Sequence, residues 1–464
     1  MKRFFLLALT CFLLSHANAS EDTLSFDGFG SVTVYNESLR PANVVLFVSG
    51  DGGWNLGVVD MARSLATLDA LVVGIDITRY LHELERSTQP CSYPAGDFEL
   101  LSKYVQKKYG YEDYVSPILV GYSSGATLIY ASLVQAPPVA FRGGISLGFC
   151  PDLPLSKPLC RGNGLDWTSG PKGIGYSFLP ATTLEVPWVV LQGDIDQVCM
   201  PNETQKFVNQ VKNGRSISLP KVGHGFSVIK NWMPQLKEAF ASVVKSGLDK
   251  SPDPTKIGIG DLPLVEVPSD SGDILAVHLT GDGGWGITDK GLSRSLADSG
   301  IAVVALNSLH YFWRGRDPDG AAKDLERILR HYLGAWKKSR IILIGYSLGA
   351  DILPFMTSRL PAELLSKVKL VVLIGPSEAV DFKFHLTDWL GRGPGPNAYL
   401  VAPEIDKLSA LRVICFYGER DKDVICSQLQ GSNIRPVVLE GGHLVRGRFD
   451  PIVEQILREL RGLN

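Results

Sequence analysis

The feature of this chain that most constrains its fold is an internal repeat. The segment 49–54 (SGDGGW) reappears 231 positions later as 280–285 (TGDGGW). A Gly-Tyr-Ser-x-Gly motif at 121–125 then recurs at 345–349, an offset of 224. Two more landmarks follow in the same order: 193–196 matches 418–421, and the pair Gly223-His224 matches Gly442-His443. Four landmarks in one order indicate two copies of one structural unit.

The length agrees with this duplication. A chain of 464 residues exceeds what one hydrophobic core usually organises, about 250–300 residues. We predict a first domain over 20–249 and a second over 262–464. The stretch 250–261, rich in Pro, Gly, Asp and Lys, is predicted to be the linker between them.

The first 19 residues have the pattern of an export signal. Lys2 and Arg3 supply positive charge, residues 4–14 form a short apolar run, and Ala17 and Ala19 give a small-x-small cleavage site. The apolar run is too short to span a bilayer, and no later run reaches about 20 residues. We therefore expect cleavage before Ser20 and a soluble periplasmic protein; the alternative is a buried N-terminal helix.

Six cysteines remain after such a cleavage, and an even number in an exported protein suggests disulfides. Cys415 and Cys426 flank one predicted loop, so we predict that they pair. The other four allow three pairings, of which closeness in sequence favours Cys150–Cys160 with Cys91–Cys199. The alternative is buried free thiols. No Cys-His cluster has zinc spacing, and we expect neither a metal nor a cofactor.

The net charge of −2 gives no indication of nucleic-acid binding. We expect no nucleic-acid partner, and the oligomeric state stays open.

Each half alternates apolar strands with helical stretches. Continuous apolar runs without polar alternation are typical of strands buried on both faces of a parallel sheet. In the first half these runs are 43–48, 70–75, 117–120 and 186–191; in the second they are 274–279, 301–306, 341–344, 370–374 and 413–417. Helical patterns such as 56–68 and 321–333 lie between them. The predicted fold is α/β: two tandem α/β-hydrolase-like domains, each a mostly parallel, doubly wound sheet.

The sharpest chemical signal is Gly-x-Ser-x-Gly, which occurs in both halves directly after an apolar strand. In that position it indicates a nucleophile elbow, a tight turn that presents a serine at the tip between a strand and a helix. The candidate nucleophiles are Ser123 and Ser347.

A serine needs a base and an orienting acid, and α/β-hydrolases order them Ser, Asp or Glu, His. In the second half this order gives Ser347, Asp421 and His443; in the first it gives Ser123, Asp196 and His224. Asp423 and Asp194 are less favoured alternatives for the acid. The competing interpretation makes each histidine a surface-loop residue.

An oxyanion hole requires two backbone N–H groups. One should come from the residue after the nucleophile, Leu348 or Ser124. The other should come from the glycine-rich early loop, from Gly283 and Gly284 or, in the first half, from Gly52 and Gly53. The alternative is that this loop is a simple tight turn.

Three further residues are candidates for substrate contact. Tyr311 and Trp313 follow a strand end and could wall a substrate pocket, although core packing fits them equally. Asp351 lies one helical turn after Ser347 and could bind a cationic group; a solvated carboxylate on the helix is the favoured alternative.

The combination of a signal sequence with the motifs at 281–285, 311–313 and 345–349 resembles the bacterial VirJ/AcvB virulence-protein family. The second half is similar to the VirJ domain, and the duplicated whole resembles the longer AcvB branch. The resemblance implies a periplasmic α/β-hydrolase that releases the amino acid from aminoacyl-phosphatidylglycerol, such as lysyl-phosphatidylglycerol. It assigns the catalytic serine to the second half, Ser347.

This substrate would make aminoacylated phospholipid at a membrane surface the main partner, and its amino group would suit Asp351 or Asp282. Secretion-system or virulence proteins are further partners that the resemblance suggests. Two alternatives stay open: a generic periplasmic carboxylesterase or lipase, and a non-catalytic chaperone or docking protein of a secretion system.

Overall fold

A computed structural model describes residues 20–87, 89–137, 140–161, 164–248, 258–384, 395, 398–421, 424–442 and 449–462. The predicted signal sequence, most of the predicted linker, His443 and Asp423 lie outside these residues. No helix within the described ranges is both long and apolar enough to cross a membrane.

The first half is built on an eight-stranded sheet with the order β1-β2-β4-β3-β5-β6-β10-β11. Strands β3 to β11 of this sheet run parallel, while β1 and β2 pair antiparallel at one edge. Three short strands form a small separate sheet with the order β7-β9-β8. The strands of this half are β1 (Ser20–Phe26), β2 (Gly30–Asn36), β3 (Asn43–Val48), β4 (Ala70–Ile75), β5 (Ile118–Tyr122), β6 (Gly143–Leu147), β7 (Asp152–Leu153), β8 (Trp167–Ser169), β9 (Tyr176–Phe178), β10 (Trp188–Gly193) and β11 (Gly214–Leu219).

The second half repeats this arrangement in a seven-stranded sheet with the order β12-β14-β13-β15-β16-β19-β20. Strand for strand this is the order β2-β4-β3-β5-β6-β10-β11, including the antiparallel edge strand. Its strands, with the separate pair β17 and β18, are β12 (Leu264–Val267), β13 (Ile274–Leu279), β14 (Ala302–Leu306), β15 (Arg340–Tyr346), β16 (Val368–Ile374), β17 (Ala379–Val380), β18 (Tyr399–Leu400), β19 (Val413–Gly418) and β20 (Ile434–Leu439). The topology therefore confirms two tandem α/β domains.

Helices cover both faces of each sheet. Those of the first half are α1 (Gly57–Ala66), α2 (Ile77–Arg86), α3 (Pro94–Lys108), α4 (Ser124–Gln135), α5 (Pro201–Val208) and α6 (Met233–Leu248). Those of the second half are α7 (Ile287–Asp298), α8 (Ser308–Phe312), α9 (Pro318–Ala335), α10 (Leu348–Ser358), α11 (Ala362–Leu365), α12 (Ala402–Asp406) and α13 (Asp450–Arg461). Two apolar clusters per half, one on each side of its sheet, form the core.

The strands predicted from uninterrupted apolar runs are buried along most of their length. Every residue of β3 and β13 is buried. Because both faces are covered by helices, loops at the carboxyl ends of the parallel strands are the ones free to form a site. The edge strands β11 and β20 were not predicted, because most of their residues are partly or fully exposed and polar residues or a proline interrupt their apolar runs.

Four described residues of the predicted linker, 258–261, lie against the second half. Ile259 is buried in its core. Arg327 on α9 donates to the Gly258 carbonyl at 2.7 Å and forms an ion pair with Asp261 at 2.5 Å. The packed part of the second half thus begins before β12.

Three disulfides join six cysteines of the described residues. The predicted Cys415–Cys426 bridge is confirmed, with Cα atoms 5.5 Å apart. The favoured pairing of the other four is wrong: the bridges are Cys91–Cys160 and Cys150–Cys199.

The physical reason is sheet topology rather than closeness in sequence. Cys150 follows β6 and Cys199 follows β10, and these neighbouring parallel strands end at the same edge. Cys91 and Cys160 meet because the adjoining backbone pairs: Ser92 donates to Pro158 at 3.0 Å, and Cys160 donates to Ser92 at 2.8 Å.

Candidate active site

Both candidate nucleophiles lie in the strained backbone conformation of an elbow. Ser123 has φ 54° and ψ −122°, and Ser347 has φ 52° and ψ −120°. A positive φ is uncommon for a residue with a side chain, and such strain is concentrated at functional sites. Each serine links a central strand, β5 or β15, to the helix that starts at the next residue.

The last glycine of each Gly-x-Ser-x-Gly motif is required because there is no space for a side chain, and not because the backbone must be flexible. A Cβ on Gly125 would lie 2.3 Å from the Ser49 carbonyl oxygen, and one on Gly349 would lie 2.2 Å from the Leu279 carbonyl oxygen. Real Cβ atoms do not approach backbone oxygens so closely. The helix after each serine can therefore pack on the neighbouring strand only if this position is glycine.

In the first half the structure brings Ser123, His224 and Asp196 together. The Oγ of Ser123 lies 2.9 Å from Nε2 of His224, and Nδ1 of His224 lies 2.9 Å from Oδ2 of Asp196. These distances connect a hydroxyl, an imidazole and a carboxylate in one hydrogen-bonded chain. With Nδ1–H facing the carboxylate, Nε2 is free to accept the serine proton.

Asp196 is held by several donors besides the histidine. The backbone N–H groups of Val198 and Cys199 donate to its Oδ1 at 2.8 and 2.9 Å, and the amide of Gln192 donates to Oδ2 at 3.0 Å. The residue is 2% exposed. Hydrogen bonds from this many donors fix the buried side chain in position. Asp194, the alternative acid, is exposed and accepts from the Lys221 N–H instead.

The loop after β10 that carries Asp196, which we call the acid loop, is also held by a covalent bond. Cys199, which supplies one of the donors to Asp196, is bonded to Cys150 at the end of β6. Asp196, Cys199 and His224 are close enough together to suggest a metal site. The sulfur of Cys199 is committed to the disulfide, however, and His224 and Asp196 bind each other.

In the second half the structure describes Ser347 and Asp421, while His443 and the alternative acid Asp423 lie outside the described residues. Asp421 follows β19, as Asp196 follows β10, and its N–H donates to Gly418 at 3.0 Å. It lines a small cavity with Gly418 and Gly442, the residue before His443. Ser347 donates its N–H to Ile374 on β16 at 2.9 Å, as Ser123 does to Leu147 on β6.

The Gly-Asp-Gly-Gly-Trp loop forms the same turn beside each serine. Gly53 donates to Gly50 at 2.9 Å, and Gly284 donates to Gly281 at 3.0 Å. The last glycine of each turn has φ 75°. A Cβ on Gly50 would lie 3.0 Å from the Ser123 Cβ, so the turn lies directly against the nucleophile.

The N–H groups proposed for oxyanion binding are placed near this turn. Ser124 and Leu348 are the first residues of α4 and α10. N–H groups at a helix start have no acceptor within the helix and carry partial positive charge. The N–H groups of Gly53 and Gly284 are used in the hydrogen bonds that close the turns. The second candidate donor is therefore the N–H of Gly52 in the first half and of Gly283 in the second.

A side chain that holds the turn of the first half in place was missed by sequence reasoning. Asp76 after β4 accepts from the Trp54 N–H at 3.3 Å and caps α2 through Thr78 at 2.9 Å. Asn307 occupies the equivalent position and caps α8 through His310. A capping residue directly after an apolar strand was the signal available in the sequence.

Tyr311 and Trp313 are core residues, which is the alternative that fitted them equally in the sequence. Both are 1% exposed. The Tyr311 hydroxyl donates to Asp324 at 2.6 Å, which matches Tyr80 and Asp97 at 2.7 Å in the first half. The Trp313 indole donates to the Tyr111 carbonyl of the first half at 2.9 Å. The aromatic run packs in the core and between the halves because α8 folds back onto the sheet.

Asp351 is not a solvated helix carboxylate, which was the favoured interpretation. It is 5% exposed, and the Ser377 N–H donates to it at 2.5 Å. Burial raises the pKa of Asp351 to about 8, and the negative charge of nearby Asp282 acts in the same direction. Asp282 itself is exposed, in the turn beside Ser347. Two acidic groups therefore lie close to the second nucleophile, one at the surface and one beneath it.

The buried carboxyl predicts a pH dependence of stability. In the unfolded chain Asp351 ionises near pH 4, whereas the folded protein keeps its proton up to about pH 8. The folded state binds more protons in this window, so the free energy of unfolding should fall as pH rises from about 5 to 8, by at most about 1.4 kcal/mol per unit. Urea unfolding of the native protein and of Asp351→Asn tests this: the variant should lose the slope, and an equal slope in both would contradict it.

The chain was compared with curated proteins and with solved structures. No curated protein matches it. It is similar to the esterase domain of a Rhodothermus marinus protein, at 15% identity over 49% of this chain and 95% of that chain, with a TM-score of 0.32. Est1E from Butyrivibrio proteoclasticus matches at 13% identity over 50% and 99%, with a TM-score of 0.33. A serine hydrolase homologue from Coxiella burnetii matches at 16% over 49% and 96%, with a TM-score of 0.31.

The family comparison covers both halves. The model of the bacterial virulence protein VirJ matches residues 42–141 and 273–463, together more than half of the chain. The duplication seen in the sheets is thus present in the family match as well. The chain belongs to the VirJ family of bacterial virulence proteins.

Proposed function

We propose that this protein is a periplasmic serine esterase that hydrolyses aminoacyl-phosphatidylglycerol, with a catalytic centre in each half. The observation that carries the proposal is the hydrogen-bonded chain from Ser123 through His224 to Asp196, on a strained elbow. A residue kept only for packing needs neither a base at the hydroxyl nor an acid behind the base. The same elbow, turn and acid position in the second half support an equivalent role for Ser347 and Asp421, with His443 as the base.

The proposed reaction has two steps. The serine Oγ attacks the aminoacyl carbonyl carbon while histidine Nε2 takes the hydroxyl proton, and backbone N–H groups of the turn and the helix start stabilise the oxyanion. Histidine then returns the proton to the leaving glycerol oxygen, which releases phosphatidylglycerol. Water attacks the acyl-enzyme in the same way and frees the amino acid.

The family resemblance supports the proposal of an aminoacyl substrate and of Ser347 as the serine that attacks it. Exposed Asp282 lies in the turn beside this serine, where a carboxylate would attract a protonated amino group. Neutral esters carry no such group, so a generic carboxylesterase would gain nothing from this charge.

The surroundings of the first centre favour a lipid surface as partner. Ile195, Val198 and Met200 in the acid loop, and Val228 and Ile229 after His224, are each about half exposed or more. We call these five residues the apolar rim. The two loops are joined by hydrogen bonds, from Ile195 to Val222 at 3.2 Å and from Lys221 to Asp194 at 2.8 Å.

A partner that binds the apolar rim must still allow an ester to reach Ser123. A lipid bilayer meets this condition because it supplies the ester itself, whereas a closely docked protein would block access to the serine. Lys221 and Lys230, which are exposed in the segment after β11 that carries His224, would attract an anionic headgroup. Two positions of the rim differ among the described residues of the second half: Arg420 stands where the first half has Ile195, and Ile425, the counterpart of Met200, is buried.

The rim predicts binding to anionic vesicles. Val198→Ser/Ile229→Ser should weaken cosedimentation with phosphatidylglycerol vesicles by about 10-fold or more, because two aliphatic side chains no longer enter the lipid. Leu39→Ser is the matched control, since Leu39 is 91% exposed but precedes β3 at the opposite edge of the sheet. Equal loss in both variants, or no loss in the first, would contradict a rim-specific contact.

A periplasmic location is supported by three disulfides, which form and persist in oxidising compartments.

Amino-acid release tests the substrate. Purified protein is incubated with vesicles that contain lysyl-phosphatidylglycerol, and separately with a p-nitrophenyl ester of a short fatty acid. We expect lysine release at a kcat/KM well above that for the simple ester. Cleavage of the simple ester alone would indicate a generic carboxylesterase, and cleavage of neither would favour the chaperone or docking role.

A further inference from the structure

The two halves meet at the turn 281–284 of the second half, which lies beside Ser347 and which we call the oxyanion turn. Helix α3 of the first half packs against this turn and against the residues after α8. Lys107 donates to the Trp313 carbonyl and lies 4.1 Å from the centre of the indole ring. Arg314 forms an ion pair with Asp113. The contact is therefore built from specific polar pairs around a buried tryptophan.

One lysine of α3 reaches the turn itself. Nζ of Lys103 lies 3.3 Å from the Asp282 carbonyl oxygen. The Lys103 side chain is 3% exposed and forms an ion pair with Glu99 on the same helix at 2.7 Å. A buried ammonium group costs several kcal/mol unless it is paired, so these two partners fix its position. Lys103 thus presents a rigid donor from the first half to a backbone carbonyl of the second.

That carbonyl belongs to a peptide unit with a particular role. The bond from Gly284 to Gly281 closes a turn whose central peptide joins Asp282 to Gly283. Turns of types I and II differ by a flip of this central peptide. The C=O and N–H of a trans peptide point in opposite directions, so a flip would also reverse the N–H of Gly283.

Side-chain packing at Gly283 does not hold the peptide. No atom lies within 4 Å of the position that a Cβ would occupy there. The hydrogen bond from Lys103 therefore favours the observed orientation of the Asp282 carbonyl, and with it the direction of the Gly283 N–H.

The first half provides an internal comparison. Its turn is closed by the equivalent bond from Gly53 to Gly50 at 2.9 Å. Asp51, the counterpart of Asp282, is exposed, and within the described part of the chain no side chain donates to its carbonyl. The polar contacts of the two turns therefore differ: in the first half Asn55 of the same half donates to the Gly52 carbonyl, whereas in the second half Lys103 of the other half donates to the Asp282 carbonyl.

We propose that Lys103 of the first half is a positioning residue for the second catalytic centre, which fixes the oxyanion turn beside Ser347. This inference rests on the proposed function, because it assumes that Ser347 reacts. It makes the second centre dependent on the docked first half, whereas the first centre forms its turn alone.

The test uses both serines of one molecule as reporters. Lys103→Met in the full chain is treated with a fluorophosphonate, and the rate of adduct formation is followed at each serine by peptide mass spectrometry. We expect labelling of Ser347 to slow by about 10-fold or more and labelling of Ser123 to stay within about 2-fold. Lys107→Met, a change at the same interface away from the turn, should leave both rates unchanged.

A second readout separates positioning from loss of structure. In a Ser123→Ala background, Lys103→Met should lower kcat for aminoacyl-lipid hydrolysis with little change in KM. If the single variant fails to fold because Glu99 is left unpaired, Glu99→Gln/Lys103→Met removes both charges and gives the same measurement.

Equal slowing at both serines, or none at Ser347, would overturn the positioning role alone. Absence of a Ser347 adduct from the unsubstituted protein would instead overturn the proposed function of the second half and this inference with it.

Discussion

Replacing Ser123 and Ser347 together with alanine is expected to lower ester hydrolysis by at least about 10³-fold while the protein stays folded. Alanine removes the nucleophilic oxygen and keeps the Cβ that the elbow already accommodates. Ser347→Ala alone should remove the part of aminoacyl-phosphatidylglycerol hydrolysis that occurs at the second centre. Ser123→Ala alone should remove the part that occurs at the first centre and leave the reaction at Ser347.

The measurement is kcat/KM on both substrates, with thermal unfolding to verify the fold. Ser124→Ala is a suitable control, because Ser124 follows the nucleophile directly and only its backbone N–H has a proposed role. Unchanged turnover in a folded double variant would contradict both assignments.

Gly125→Ala should destabilise the protein by about 3 kcal/mol or more, which is a large fraction of a typical domain's stability. The added Cβ would lie 2.3 Å from one backbone oxygen and 2.4 Å from another, those of Ser49 and Val48. Relieving the overlap requires α4 to move away from β3. The sign is diagnostic, since Gly125 is in a helix, where alanine would otherwise stabilise by about 1 kcal/mol.

Urea unfolding measures this effect. Gly52→Ala is the matched control, because it lies in the equivalent turn of the first half near the same serine and a Cβ there would meet nothing within 4 Å. We expect this control to unfold at nearly the same urea concentration as the native protein. A Gly125→Ala protein as stable as the control would contradict the close packing of helix on strand.

The architecture could be predicted because repetition and burial both leave marks on the sequence. The repeat predicted two units, and strands covered on both faces appear as uninterrupted apolar runs, which is why β3, β4 and β13 begin and end at the predicted residues. Edge strands such as β20 have no uninterrupted apolar run, because they are partly exposed to water and their residues need not all be apolar.

The site was predictable where the spacing of strand ends determines it. Ser123 and Asp196 each follow a strand that the apolar runs predicted, whereas His224 was found from the Ser-Asp-His order and from the repeat, because its strand β11 was not predicted. The first-half disulfides were not predictable from sequence separation, because they depend on which strands and loops become neighbours.

The functions of Asp351 and Lys103 depend on packing that is still more remote. Whether Asp351 is solvated is decided by the loop that carries Ser377, which covers it. Lys103 is one of many helix lysines in the sequence, and its role arises only when the second half docks on α3.

Identification of the serines that react with a fluorophosphonate tests the central claim most directly. The unsubstituted protein is labelled, digested and analysed by mass spectrometry. The account predicts adducts on Ser123 and Ser347 and on no other serine. Absence of an adduct from Ser123, whose hydrogen-bonded chain to His224 and Asp196 carries the proposal, would contradict it.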